Sequence, residues 1–318
     1  MKKIEELAWK PMWVSHLGCL KGCFEYLGSD MTDAWLFGGT GHAFIMNIHA
    51  TVCPSGPTAW RKHEFSNLVG NLGIVTDGIF SHKSLKDFDK VQENSFNKIK
   101  QSIDNGIPCF GWELDLPEYG VINGYDDNGY FFSGPRSKPD NDYTPYKQLG
   151  QTEIGILEVY FVQRSAPMAD KDIVKAAFKF ATDFKASPAA WLFDDYKAGL
   201  EAYDQWINAL NKDKADGFGV TYNASIWAEC RGFARDFMGE AKERLGGELG
   251  QLFEDGKEFY GEVAENLDSF EKIFPYPPEE EHIKDKDNRL KGIELLQKAQ
   301  TAEGKALDVV EKILGKLD

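Results

Sequence analysis

No stretch of this 318-residue chain approaches the roughly 20 consecutive apolar residues that a membrane-spanning helix needs, so no membrane partner is expected. Met1 leads into KKIEELAWK without an apolar run behind it; no secretory leader is expected, and the chain is expected in the cytoplasm. Cysteine is sparse. Cys19, Cys23, Cys53, Cys109 and Cys230 form an odd, scattered set without a C-x-x-C pair, which reads as free thiols and not as a disulfide framework. Basic residues are in deficit: the formal net charge is -15, with 15 basic against 20 acidic residues before Ser165 and 21 against 31 from there on. Neither half carries the dense Lys/Arg that displaces counterions from a nucleic acid, so that class of partner is excluded. No internal repeat or low-complexity tract interrupts the chain.

Apolar residues are plentiful. They make up 42% of the chain and include 22 Phe and 8 Trp, enough to fill two cores at this length. Trp13, Leu17, Leu20, Phe24 and Leu27 recur at steps of four and three, one face of a helix. Ala43 to His49 is rich in strand formers. Asp87 to Asp104 reads as an amphipathic helix stopped by Asn105-Gly106. Strands are expected over Ile107–Leu114, Tyr119–Asp126, Gly129–Ser133 and Ile156–Arg164, the middle two joined by a hairpin turn at Asp127-Asn128-Gly129. The composition changes at Ser165-Ala166-Pro167, beyond which no strand is expected. Helices are expected at about Asp170–Lys185, Tyr196–Asn211, Tyr222–Leu245, Glu248–Ile273 and Asn288–Leu317. The pattern predicts an α+β domain over residues 1–165 and an all-α helical domain over 166–318.

Several clusters are candidates for chemistry. Ser15 and Cys19 lie one helical turn apart and share a face; the alternative is that Ser15 caps the helix while Cys19 is packing. Glu118 and Tyr119 follow a proline at a strand start, with Glu113 and Asp115 nearby; a solvated strand-end carboxylate is the competing reading. Gly38-Gly39-Thr40-Gly41-His42 lacks the Lys-Ser/Thr of a phosphate-binding loop and reads as a sharp turn, with His42 left as a ligand-binding candidate. His42, His49, Cys53 and His63 follow no tight metal-ligand spacing, so neither metal nor cofactor is expected. Glu229, Arg231 and Arg235 lie on one predicted helix. The two arginines, four apart, suit a carboxylate or phosphate, or else form a surface ion-pair network with Glu229 or Asp236.

Two segments carry a family resemblance. SHLGCLKGCFEYLG (Ser15 to Gly28) is similar to the nucleophile helix of papain-like peptidases, and GIPCFGWELDLPEYGVINGYDDNGYFFSGP (Gly106 to Pro135) to their paired strands. The chain resembles the bacteriocin-leader peptidase type and the N-terminal domain family of butirosin biosynthesis protein H, whose members transfer acyl groups. The resemblance implies a papain-like fold for the first half. It also implies that the positions of the cysteine nucleophile, the histidine base and the orienting Asp/Asn hold Ser15, Glu118 and Ser133-Gly134. A serine without an imidazole is a poor substitute for a thiolate–imidazolium pair, and an ordinary glutamate is too weak a base unless burial raises its pKa. The expectation is therefore a non-peptidase that binds a small-molecule or peptide-like ligand in an interdomain cleft. An acyltransferase using Cys19 or Ser15, or an amide or ester hydrolase, stands as the alternative. Oligomeric state is left open.

Overall fold

The structure, a computed structural model, describes residues 1–61, 64–136, 142–186 and 188–317. The chain is mixed α+β with a helical C-terminal region, and it divides into two compact units. The first comprises Met1–Thr32 and Gly73–Pro167, the second Asp33–Leu72 and Met168–Asp318. The chain thus crosses between units after Thr32, Leu72 and Pro167, in place of the single crossing expected after residue 165. The segment 33–72 belongs with the helices because its aromatic and small residues pack there: Trp35 and Phe37 lie against Phe237 and Phe233.

The α+β unit is built on a seven-stranded antiparallel sheet. Its order is Ile74–His82, Ile156–Arg164, Cys109–Trp112, Tyr119–Tyr125, Gly129–Ser133 and Asp142–Pro145, with Lys2–Lys3 also paired to Tyr119–Tyr125. Strand alternation gives the sheet two apolar faces. Cys109 stands opposite both Ile122 and Phe161, and Ile122 opposite Phe132. These residues form one face, on which the Phe88–Asp104 helix buries Phe96, Ile99 and Ile103. Phe110 stands opposite Val121 and Tyr160, and Trp112 opposite Tyr119, so they belong to the other face. There the Ser15–Tyr26 helix lies, its His16 ring stacked on Tyr119 at 4.4 Å.

That helix is fixed by a chain crossing as well as by its apolar stripe. Gly18 and Gly22, four apart, face the Ala8–Lys10 segment, and a Cβ on them would come within 2.4 Å of the Lys10 carbonyl oxygen and 2.0 Å of the Ala8 oxygen. Only glycine permits this approach. The hairpin strand carries a bulge between Ile122 and Gly124; Asn123, the extra residue, donates from Nδ2 to the Leu7 carbonyl at 3.2 Å and accepts from the Ile4 N–H at 2.7 Å.

In the helical unit, the Gly217–Leu245, Gly250–Ile273 and Lys286–Leu317 helices surround a core that includes Trp206, Phe237, Phe253 and Phe270. The expectation of no strand beyond residue 165 is corrected: Tyr196–Ala198 pairs antiparallel with Asn47–His49, and the following helix starts at Leu200, not Tyr196. A three-residue strand has too short an alternation to be seen in sequence. Gly38 and Gly39 end the Asp33–Gly39 helix, where a Cβ on Gly38 would meet the Phe237 ring at 2.1 Å; Gly41, at φ +79°, makes the turn. Among the described residues no helix is long and apolar enough to cross a membrane.

Candidate functional site

The site forms where the Ser15–Tyr26 helix meets the start of the Tyr119–Tyr125 strand. Between the Cys109–Trp112 and Tyr119–Tyr125 strands the chain turns tightly: the Glu113 N–H donates to the Glu118 carbonyl at 2.8 Å, and the Glu118 N–H to the Leu116 carbonyl at 2.6 Å. Glu113 takes φ +55°, unusual for a residue with a Cβ. Its carboxylate is 8% exposed and accepts the Thr152 hydroxyl at 2.6 Å, which anchors the turn from the side. Pinned at both ends, the turn delivers Glu118 to Ser15.

The Ser15 hydroxyl donates a short hydrogen bond to Glu118 Oε2 and accepts one from the Tyr119 backbone N–H at 3.0 Å. Ser15 is only 3% exposed. It does not cap its helix: Val14 holds the N-cap position without a side-chain bond, and Ser15 is the first helical residue. Its hydroxyl is spent across the site instead. Burial pushes the Glu118 carboxyl up to about 7, and the Ser15 hydrogen bond only partly opposes this. A small cleft, open to solvent and with room for about one water molecule, adjoins Glu118; Leu114, Leu116 and Phe132 give it apolar walls, and Asp115, Arg136 and Asp142 contribute charge.

The other expected positions fall as follows. Ser133 accepts the Trp9 N–H at 2.8 Å, so its hydroxyl ties down the N-terminal segment. Tyr119 is buried, with its hydroxyl on Glu158 Oε1 at 2.7 Å. Cys19 is fully buried, and burial first, then the neighbouring Cys23 and Glu118, raise its thiol well above the ordinary range. Cys23 and Cys109 are buried and raised likewise. A thiol reacts as the thiolate, which this environment suppresses. Iodoacetamide at neutral pH is therefore expected to spare Cys19, Cys23 and Cys109 while labelling half-buried Cys53, as read by peptide mass mapping. Rapid, selective labelling of Cys19 would contradict this.

His42, Glu229 and Arg231 belong to the helical unit. His42 is 4% exposed and sits edge-on to Phe65 and Trp60 at 4.8 and 5.6 Å. Glu229 is half-buried on the Gly217–Leu245 helix. Arg231 is neither a surface residue nor paired with Glu229 or Asp236. It is 0% exposed, its Nε on Glu303 Oε2 at 2.6 Å and its Nη1 on the carbonyls of Ala43 and Ile45 at 2.9 and 2.7 Å. Arg235, by contrast, is half-buried and pairs with Asp236. His49 Nδ1 lies 2.9 Å from the Thr51 hydroxyl and Cys53 Sγ 3.4 Å from the Tyr196 hydroxyl; His63 lies outside the described residues. No cluster able to hold a metal occurs among the described residues.

Sequence reasoning missed Glu158 and Glu303. Glu303 interrupts an interior pattern, which is a readable signal. It falls on the stripe Leu296, Ala299, Ala306, Val310 at steps of three and four, whereas Glu158 alternates with Leu157, Val159 and Phe161 and so reads as an ordinary residue of the strand's other face. Compared with models of known protein families and with curated protein sequences, the chain matches none.

Proposed function

We propose that the α+β unit is a papain-like domain in which the nucleophile and base positions have become a ligand-holding pair, Ser15 and Glu118. It binds a small-molecule or peptide-like ligand through a donor group, an amine or hydroxyl, presented to Glu118. The observation that carries this reading is the hydrogen bond between the Ser15 hydroxyl and Glu118, at the two positions that the resemblance assigns to nucleophile and base. The adjoining cleft supplies apolar walls beside a carboxylate that titrates near neutrality, so a ligand donor that enters it meets an acceptor. Peptide cleavage does not fit. Ser15 receives an N–H bond on its oxygen, which withdraws electron density, and the neighbouring His16 ring stacks on Tyr119.

One observation favours a second reading, an amide or ester hydrolase or acyltransferase acting through Ser15. A carboxylate raised to about 7 is matched to general-base work at neutral pH. A fluorophosphonate probe separates the two. On the first reading Ser15 is not labelled and generic peptides are not hydrolysed, while dipeptide amides shift the backbone amide resonances of Leu114–Gly120, and Glu118→Gln removes those shifts. Ser15 labelling would replace the first reading with the second, and the absence of any ligand-dependent shift would remove the first. The double substitution Ser15→Cys, Glu118→His is expected to yield a thiol alkylated faster than any native cysteine of the chain.

A further inference from the structure

On the sheet face that carries the Ser15–Tyr26 helix, one carboxylate is left half satisfied. Glu158 lies in the middle of the Ile156–Arg164 strand, half-buried, and both the Tyr119 and Tyr160 hydroxyls donate to the same oxygen, Oε1, at 2.7 and 2.5 Å. Among the described residues no hydrogen bond reaches Oε2 and no lysine or arginine pairs with Glu158. Two phenols pulled onto one oxygen orient the group and leave the other oxygen open to a further donor; the His16 ring lies 4.4 Å from Tyr119 and 5.5 Å from Tyr160 on the same face. A partly desolvated carboxylate without a cation is costly, and a bound cation relieves the cost.

The surroundings are aromatic. Trp112 stands at the next register position beyond the Gly111–Val159 pair, which places it across from Glu158, and its ring is 4.9 Å from Tyr119. On the other side Phe80 is the register partner of Glu158, and its ring lies edge-on to Tyr160 at 5.5 Å. Phe80 is 60% exposed, a large apolar ring on an edge strand; Gly78 admits it, since a Cβ there would come within 2.5 Å of the Phe80 ring. Ring faces attract cations through their quadrupole, and they favour weakly hydrated organic ones over metal ions.

We propose that Glu158, flanked by Trp112, Tyr160 and Phe80, is a binding site for an organic ammonium ion, from a primary amine to a quaternary ammonium group. Glu158 supplies the counter-charge and the rings supply the walls. The site is independent of the reading of Ser15 and Glu118, because neither takes part in it.

The test uses the full chain and two probes, tetramethylammonium chloride for a free quaternary amine and Nα-acetyl-lysine methylamide for a peptide side chain, each against sodium chloride at equal ionic strength. The Trp112 indole N–H is the reporter: it is buried and has no hydrogen-bond partner among the described residues. At least one probe is expected to shift its resonance, and those of the Phe80 and Glu158 amides, saturably in the millimolar range. Glu158→Gln, which keeps an acceptor for the two tyrosines, is expected to weaken that binding about tenfold. Phe80→Ala, at an exposed position that does not threaten folding, should weaken it about threefold. The relative affinity of the two probes identifies the source of the ammonium group. Shifts that follow sodium chloride equally, no saturable shift with either probe, or unchanged binding in both variants would overturn the proposal.

Discussion

Glu303→Leu is expected to destabilise the helical unit by about 3–5 kcal/mol, measured as a fall in the urea midpoint followed by tryptophan fluorescence. Arg231 and Glu303 are 0% and 1% exposed and 2.6 Å apart, so removing the carboxylate strands a guanidinium in the core. The pair also organises its neighbours. The Tyr203 hydroxyl donates to Glu303 at 3.2 Å, and Arg231 Nη1 satisfies the carbonyls of Ala43 and Ile45. Arg231→Met should cost a similar amount. The double variant Arg231→Met, Glu303→Leu should cost clearly less than the two singles added, because no unpaired charge remains, although the two carbonyls still lose their donor. Strict additivity would show that the two charges do not depend on each other.

The second large effect is a pH dependence. The Glu118 carboxyl is raised from its ordinary 4.5 to about 7 by burial, with the Ser15 bond opposing. Below pH 4.5 the group is protonated whether the chain is folded or not, and it contributes no slope. Between 4.5 and 7 the unfolded chain releases a proton that the folded chain retains, so stability falls as the pH rises through this window and levels off above it. The span is at most about 3–4 kcal/mol, at roughly 1.4 kcal/mol per unit, and water entering the adjoining cleft reduces it. Glu118→Gln keeps an acceptor for the Ser15 hydroxyl and removes the titration. Its stability, measured by urea denaturation from pH 4.5 to 8, should therefore lack the part of the decline that the native chain shows. Parallel curves for the two proteins would show that Glu118 is not held protonated.

Legibility followed the length of the pattern. The Phe88–Asp104 helix was readable from seventeen residues of 3.6-fold periodicity and an Asn-Gly stop, and the Tyr119–Ser133 hairpin from alternation around a turn. The Ile74–His82 strand escaped because Asp77 and Gly78 break its alternation; as an edge strand it tolerates them, since one side of its ladder is unpaired. The Asp142–Pro145 strand is four residues long and polar, and only its pairing with Gly129–Ser133 defines it. Ser15 and Glu118 were named as facing positions through a resemblance, since nothing in local spacing links residues 103 apart.

By itself the sequence determined the free thiols, the acidic surface, the mixed first half and the helical remainder, because composition and periodicity act over a turn or a strand. It also held, unread, two charges at interior positions: Arg231 continues the stripe Val220, Ala224, Trp227, Ala234, Met238, just as Glu303 continues its own. Only the tertiary structure decided that these two meet, that residues 33–72 join the helices, and that Ser15 spends its hydroxyl on Glu118 and not on its own helix. The physical reason is the same in each case. A buried polar group must find its partner wherever the fold brings one, and distance along the chain does not limit that choice.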